Sequence, residues 1–244
     1  MKKFLKAICL ILSLCSLAML FAACSTDMRK SSKAYFDYEN ADTSYGSTID
    51  SNKVALVVDS MKVEDFVQSE DEGDYVLIKI KDYGSIVVLL RSDVAPVTVE
   101  NFKKLVSAGF YSGTIFHRVI EDFMIQGGGL IVKDNPDGNG TIIDIKEAAS
   151  ITGEFAANGF VNNLKHVRGV ISMARASDYN SASSQFFIMQ TATPSLDGGY
   201  AAFGYVLAGM DVVDKIAGCK DLLPDSNMPM YDIVIESITF VEPK

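Results

Sequence analysis

Ile115-Phe116-His117-Arg118-Val119-Ile120 reads as a β-strand, and six residues further on the chain runs into Gln126-Gly127-Gly128-Gly129. Strict two-residue alternation puts Phe116, Arg118 and Ile120 on one face of that strand and His117 and Val119 on the other. A cation then shares a face with apolar side chains, as at the wall of a binding surface. The glycine run lacks the G-x-G-x-x-G spacing and the downstream helix of a dinucleotide loop. It reads instead as a tight turn or a close approach of two backbones.

Working outward, Tyr75 to Ile80 and Ile86 to Leu90 form two β-rich runs around Lys81-Asp82-Tyr83-Gly84-Ser85, a hairpin pattern. Val170 to Ala174, Phe186 to Met189 and Ile233 to Val241 are further strand-like runs. Pro96 opens a helix predicted over Val97 to Ala108, with Val99, Phe102, Leu105 and Val106 on one face and Gly109 as its C′ residue. A second helix is predicted over Met210 to Ala217. Many short strands, glycine-containing turns and only two helices make this an all-β fold of the antiparallel barrel or sandwich type, without a βαβ series.

The ends read differently from the middle. Lys2, Lys3 and Lys6 precede an uncharged apolar run from Ala7 to Ala23, the layout of a secretory leader. A retained membrane-spanning helix is the alternative reading of so long a run. Ala22-Ala23-Cys24 favours cleavage, because small residues before a cysteine match the bacterial lipobox, although Phe21 stands where that motif prefers an aliphatic residue. Residues 1–23 are therefore expected to be a lipoprotein signal peptide, with acylation at Cys24 anchoring the chain outside the cytoplasm on a bacterial membrane. Residues 24–52 read as a flexible tether rich in Ser, Asp, Thr and Lys. Residues 53–73 form an extension of unassigned role, with a strand-type run at Val54 to Val58 and solvated acids at Glu70, Asp71 and Glu72. Residues 74–242 carry the main domain.

The whole chain has 22 basic and 31 acidic side chains and a net charge of −9. Loss of the leader removes three lysines and no acid, moving the charge to −12. So acidic a surface repels phosphate backbones, and nucleic acid is excluded as a partner. Of the four cysteines only Cys219 lies beyond the leader and the acylation site, so no internal disulfide is expected. Two histidines and no paired cysteines give no metal site, and no serine sits in a G-x-S-x-G elbow. No metal and no cofactor are expected. A second informative segment is Ser183-Ser184-Gln185-Phe186-Phe187-Ile188-Met189, where Gln185, Phe187 and Met189 point one way and Phe186 and Ile188 point to the core.

Five separated motifs together carry a specific resemblance. They are Phe116-His117-Arg118; Phe123-Met124-Ile125-Gln126-Gly127-Gly128; Ser172-Met173-Ala174-Arg175-Ala176; Ser184-Gln185-Phe186-Phe187-Ile188; and Leu196-Asp197-Gly198 with Phe203-Gly204. In this order and spacing, over residues 74–242, the chain resembles the cyclophilin-type peptidyl-prolyl cis-trans isomerases, and Gly153 to Gly159 with Leu164-Lys165-His166 resemble the bacterial branch. The resemblance implies a closed eight-stranded antiparallel β-barrel capped by two α-helices. It implies that Arg118 is the catalytic arginine, accompanied by Gln126 and Phe123. Phe123, Met124, Phe187 and Leu196 would wall a proline pocket, Gln126 and Gln185 would orient the arginine or the substrate, and Ala174, Arg175 and Ala176 would pair with substrate backbone. Arg175 departs from the asparagine of well-known eukaryotic members. Ser195 replaces a tryptophan that helps bind cyclosporin, so cyclosporin binding is expected to be weak, and Tyr200 replaces a histidine at the pocket edge.

Rotation about an X-Pro bond faces ~18–20 kcal/mol, set by delocalisation of the nitrogen lone pair. Catalysis has only to weaken that conjugation, so a guanidinium that hydrogen-bonds the twisted amide suffices and no nucleophile is needed. The expected partners are proline-containing unfolded or extended polypeptides. The rival reading is a weakly active proline-peptide binding module or holdase chaperone at the membrane surface.

Overall fold

A computed structural model describes Val54, residues 57–133 and residues 142–244. The expected leader, Cys24 and tether lie outside the described residues. The elements are β1 (Phe66–Gln68), β2 (Tyr75–Ile80), β3 (Gly84–Leu90), α1 (Pro96–Ser107), β4 (Thr114–Ile120), β5 (Met124–Lys133), β6 (Ile142–Ile145), β7 (Val170–Met173), β8 (Phe186–Met189), β9 (Ala202–Ala208), α2 (Met210–Ala217) and β10 (Ile235–Pro243).

All pairings are antiparallel, and the strands follow one another in the order β1-β10-β2-β3-β9-β7-β8-β5-β4, with β6 on β5. The path closes where β4 meets the start of β10. Ile115 bridges Val234, the Gly113 N–H donates to the Ile235 carbonyl at 2.9 Å, and the Phe116 N–H donates to the Ile233 carbonyl at 2.9 Å. Eight strands, β10 through β4, thereby close into a barrel, while β1 and β6 pair on its outside.

Alternation builds the interior. Val76, Ile78 and Ile80 of β2 and Ile86, Val88 and Leu90 of β3 enter the core, paired Val76 to Val88 and Ile78 to Ile86 across the hairpin. Asp82 turns that hairpin with φ 63°. Phe102 of α1 meets Tyr111, Phe186 and Phe203 with ring centroids 5.0–5.7 Å apart, so helix and barrel share one aromatic cluster.

The two helices share a less obvious device. The residue at the N-cap is Ala95 in α1 and Gly209 in α2, and neither has a side chain able to accept the free N–H groups of a first turn. In each helix a carboxylate from elsewhere in the chain does so. Glu154, 1% exposed, takes the Val97 and Thr98 N–H groups at 3.0 and 2.8 Å. Asp59 takes those of Gly209 and Met210 at 3.0 and 3.1 Å.

Asp59 belongs to the extension, which is bonded to the barrel along residues 59–68. The Asp59 N–H donates to the Val206 carbonyl and that of Met61 to the Leu207 carbonyl, and β1 pairs with β10. Val54 and Val57 are helical and not strand: the Val58 N–H donates to the Val54 carbonyl, and both valines are buried. Three apolar residues facing a surface satisfy either period over so short a run. Asp59→Ala is expected to cost about 1 kcal/mol, the usual value of a lost cap, read as a lower urea midpoint at unchanged slope.

Candidate active site

Arg118 owes its position to a break in the alternation of β4. Phe116 pairs with Gly127 and Arg118 with Gln126, so β4 spends two residues where β5 spends one, which makes His117 the extra residue of a bulge. Phe116 and Val119 both go to the core and Arg118 is exposed outside the barrel. The sequence expectation that Phe116 shares a face with Arg118 is corrected here, because alternation holds only where the ladder is regular.

On the outer surface Arg118 Nη1 donates to Gln126 Oε1 at 3.3 Å, and Gln126 Nε2 donates to Gln185 Oε1 at 3.0 Å. The amide chain has a direction: Gln185 accepts from Gln126, which fixes the Gln126 oxygen toward the guanidinium. The other donors of Arg118 have no partner among the described residues, and its guanidinium carbon lies 6.0 Å from the Phe123 ring centroid.

The glycine run makes room for this chain. A Cβ on Gly129 would fall 2.4 Å from Gln185 Cγ, and one on Gly128, whose φ is +87°, would strike the Phe186 ring at 2.8 Å. These are close approaches of the kind that a glycine run implies. Gly129→Ala should push Gln185 off Gln126 and release the arginine. We expect kcat/KM to fall roughly tenfold, the scale of a sub-ångström misplacement, with the melting temperature little changed.

Beside the arginine, β8 lies between β5 and β7, so that Phe187 pairs with Gln126 on one side and Ser172 on the other. Phe187 is 5% and Met124 1% exposed, and Met124 pairs with Met189, so these two form a floor; Phe123 beside Arg118, and Leu196 next to the Asp197 that bonds His166, are half-buried. His166 stacks on Phe187, with centroids 5.9 Å apart at 16°. Its Nδ1 lies 3.1 Å from Asp197 Oδ1 and its Nε2 3.0 Å from Ser172 Oγ. Burial pushes His166 below its ordinary titration range, against the pull of Asp197. The neutral ring then gives its proton to the acceptor-only carboxylate and accepts from Ser172. This Ser-His-Asp order is not a nucleophilic triad, since Ser172 is completely buried. Burial likewise pushes His117 down.

Past the end of β7, the Ala174 N–H donates to the Gln185 carbonyl and Ser181 Oγ accepts from the Ala176 N–H. The backbone N–H and C=O of Arg175 between them have no partner among the described residues. One residue of open strand edge therefore borders the floor. The side chain of Arg175 turns away to the Gly199 and Ala176 carbonyls and packs among the rings of Phe155, Tyr179 and Tyr200.

A family model described as cyclophilin type peptidyl-prolyl cis-trans isomerase/CLD matches residues 75–240. The chain belongs to this family. The cyclophilin is 42% identical over 166 residues to peptidyl-prolyl cis-trans isomerase A of Dickeya dadantii, covering 65% of this chain and 80% of the relative. It is 41% identical over 171 residues to peptidyl-prolyl cis-trans isomerase B of Escherichia coli, covering 66% and 96%. A crystal structure of a Cryptosporidium parvum cyclophilin type peptidyl-prolyl cis-trans isomerase in the presence of dipeptide Ala-Pro is similar with a TM-score of 0.55 and 31% identity, over 68% of this chain and 98% of that one. The activity of this cyclophilin is peptidyl-prolyl cis-trans isomerisation.

The cyclophilin fold brings together the residues read from separate motifs: Arg118, Gln126 and Gln185 in one hydrogen-bonded chain, with Phe123 beside the arginine and Phe187 beside Gln126 in the ladder. Tyr200 stands edge-on to Phe187 at 5.8 Å. The sequence pattern gives no partner for His166, marks Phe155 only as part of Gly153 to Gly159, and does not mark Tyr179. The signal at Tyr179 is aromatic character between Asp178 and Asn180.

Proposed function

We propose that Arg118 accelerates X-Pro rotation by donating to the amide as it twists, while Phe123, Met124, Phe187 and Leu196 grip the prolyl ring. The observation that carries this is a guanidinium held through one of its donors by Gln126, with the remaining donors unpartnered among the described residues beside an apolar floor. A planar amide nitrogen accepts poorly, whereas a pyramidal one presents a lone pair, so a fixed donor there favours the twisted state over both ground states. The open edge at Arg175 offers one N–H and one C=O to an extended substrate, which adds as a short strand. Substrates are proline-containing extended polypeptides, a reading supported by the dipeptide Ala-Pro in whose presence the similar Cryptosporidium structure was determined.

The setting proposed from the sequence is extracytoplasmic, with the enzyme tethered by acylated Cys24 where chains emerge unfolded. Mass spectrometry of the native N-terminal peptide tests it: a diacylglyceryl group on Cys24 supports the anchor, and an uncut leader with free Cys24 refutes it. Cyclosporin affinity is weak in this reading, because exposed Ser195 offers no indole. The isomerase mechanism is tested by cis-to-trans relaxation of an Ala-Pro peptide with the full-length chain and its Arg118→Ala variant. Proline peptides that bind without turnover would make the protein a binding module.

A further inference from the structure

Arg175 and Tyr200 touch each other. The guanidinium carbon of Arg175 lies 4.7 Å from the Tyr200 ring centroid, 4.9 Å from that of Tyr179 and 5.1 Å from that of Phe155. Its Nε and Nη2 both donate to the Gly199 carbonyl, at 3.0 and 2.9 Å, and Nη1 donates to the Ala176 carbonyl at 2.9 Å. The group thus ties the segment past β7, at Ala176, to the loop that carries Tyr200, 24 residues on from Arg175.

The contact chain continues to the pocket. Tyr200 meets Phe187 edge-on at 5.8 Å, His166, held by Asp197 and Ser172, stacks on Phe187 at 5.9 Å, and His166 and Tyr200 also meet edge-on at 6.5 Å. Phe187 therefore packs in one triangle of rings with a hydrogen-bonded imidazole and a phenol that lies against a cation. Of the four described arginines, Arg91 and Arg168 are paired with Asp93 and Asp214. Arg175 has no carboxylate partner among the described residues, and aromatic faces and neutral carbonyls receive its charge. A planar fork suits that arrangement and an ammonium does not, since only the fork can stack on a ring while donating in its own plane to two carbonyls.

We propose that Arg175 is a positioning residue which sets the width of the substrate groove, by locking the Ala174–Ala176 edge to the Gly199–Tyr200 loop and bracing Tyr200 against Phe187. The proposal rests on the isomerase reading above and adds to it a determinant of peptide affinity distinct from Arg118. Because the brace acts equally on planar and twisted amide, its loss weakens binding of both and leaves the turnover of bound peptide nearly unchanged.

The test compares full-length wild type, Arg175→Ala, Arg175→Lys, Tyr200→Ala and the Arg175→Ala/Tyr200→Ala double variant, reading kcat and KM for an Ala-Pro peptide and its Kd by titration. Arg175→Ala should raise KM and Kd roughly tenfold with kcat within about twofold, and Arg175→Lys should recover only part of that loss. The double variant should be no worse than the poorer single, since both remove one brace. Unchanged KM in Arg175→Ala, a fall confined to kcat, or losses that multiply in the double variant each overturn the proposal. If Arg175→Ala does not fold, Arg175→Lys decides: wild-type KM and Kd in a folded Lys variant overturn it. A wild type that binds peptide without turnover sinks the isomerase mechanism instead, and Kd still reports on Arg175.

Discussion

Arg118→Ala is expected to lower kcat/KM for an Ala-Pro peptide by roughly 10²–10³-fold, the loss that follows removal of one preorganised transition-state donor, equivalent to about 2.7–4 kcal/mol. The side chain is exposed and its hydrogen bond to Gln126 is long at 3.3 Å, so stability should change by less than about 0.5 kcal/mol. The effect should fall on kcat more than on KM, because the bond to the amide nitrogen strengthens only as the nitrogen pyramidalises. Arg118→Lys should recover part of the rate: it restores a charge but not a fork that can hold Gln126 and the substrate together. A variant within about threefold of wild type would remove the arginine from the mechanism.

Glu154→Ala is expected to destabilise the fold by about 2–4 kcal/mol. The carboxylate is buried and accepts two N–H groups from the first turn of α1, where Ala95 supplies nothing. Truncation leaves the Val97 and Thr98 donors without partners, at ~1–3 kcal/mol each, partly offset because a buried charged group is no longer desolvated. The helix also loses an anion at its positive end. The Thr98 hydroxyl, buried and without a partner among the described residues, is a neutral acceptor and does not replace the carboxylate's charge at the helix end. Glu154→Gln keeps one accepting oxygen and should lose about half as much. Urea midpoints at constant slope measure both, and a loss under about 0.5 kcal/mol for Glu154→Ala would show that the helix end is satisfied some other way.

Much of this architecture is legible in the residue pattern, and the failures share a cause. The β2–β3 hairpin and both helices follow from local periodicity and punctuation: Pro96 at the start of α1, Gly109 with φ +62° after its end, and α2 with the bounds expected for it. β9 escapes such a reading, because Ala202 to Ala208 is buried on both faces and has no alternation, and Gly204 must admit the Leu89 carbonyl, 2.4 Å from where a Cβ would stand. The bulge that exposes Arg118 is likewise invisible to a rule that assumes a regular ladder. Caps supplied by Glu154 and Asp59 defeat local capping signals, since the acceptor comes from 56–57 and 150–151 residues away. The Arg175 cluster joins three rings from separate loops, and no spacing announces that.

The closure of the barrel by its last strand has a consequence for how the molecule is made. β10 lies between β2 and the segment that meets β4, and its register joins Ile80 to Ile235 and Phe66 to Pro243. Such pairings have high contact order and form slowly. At about 5–20 residues per second of synthesis, β2 waits on the order of ten seconds for its partner to exist. Until then Tyr75 to Ile80, apolar at every position but Lys79, is an open edge able to pair with another chain. The isomerase is therefore itself exposed to misassembly until that strand arrives.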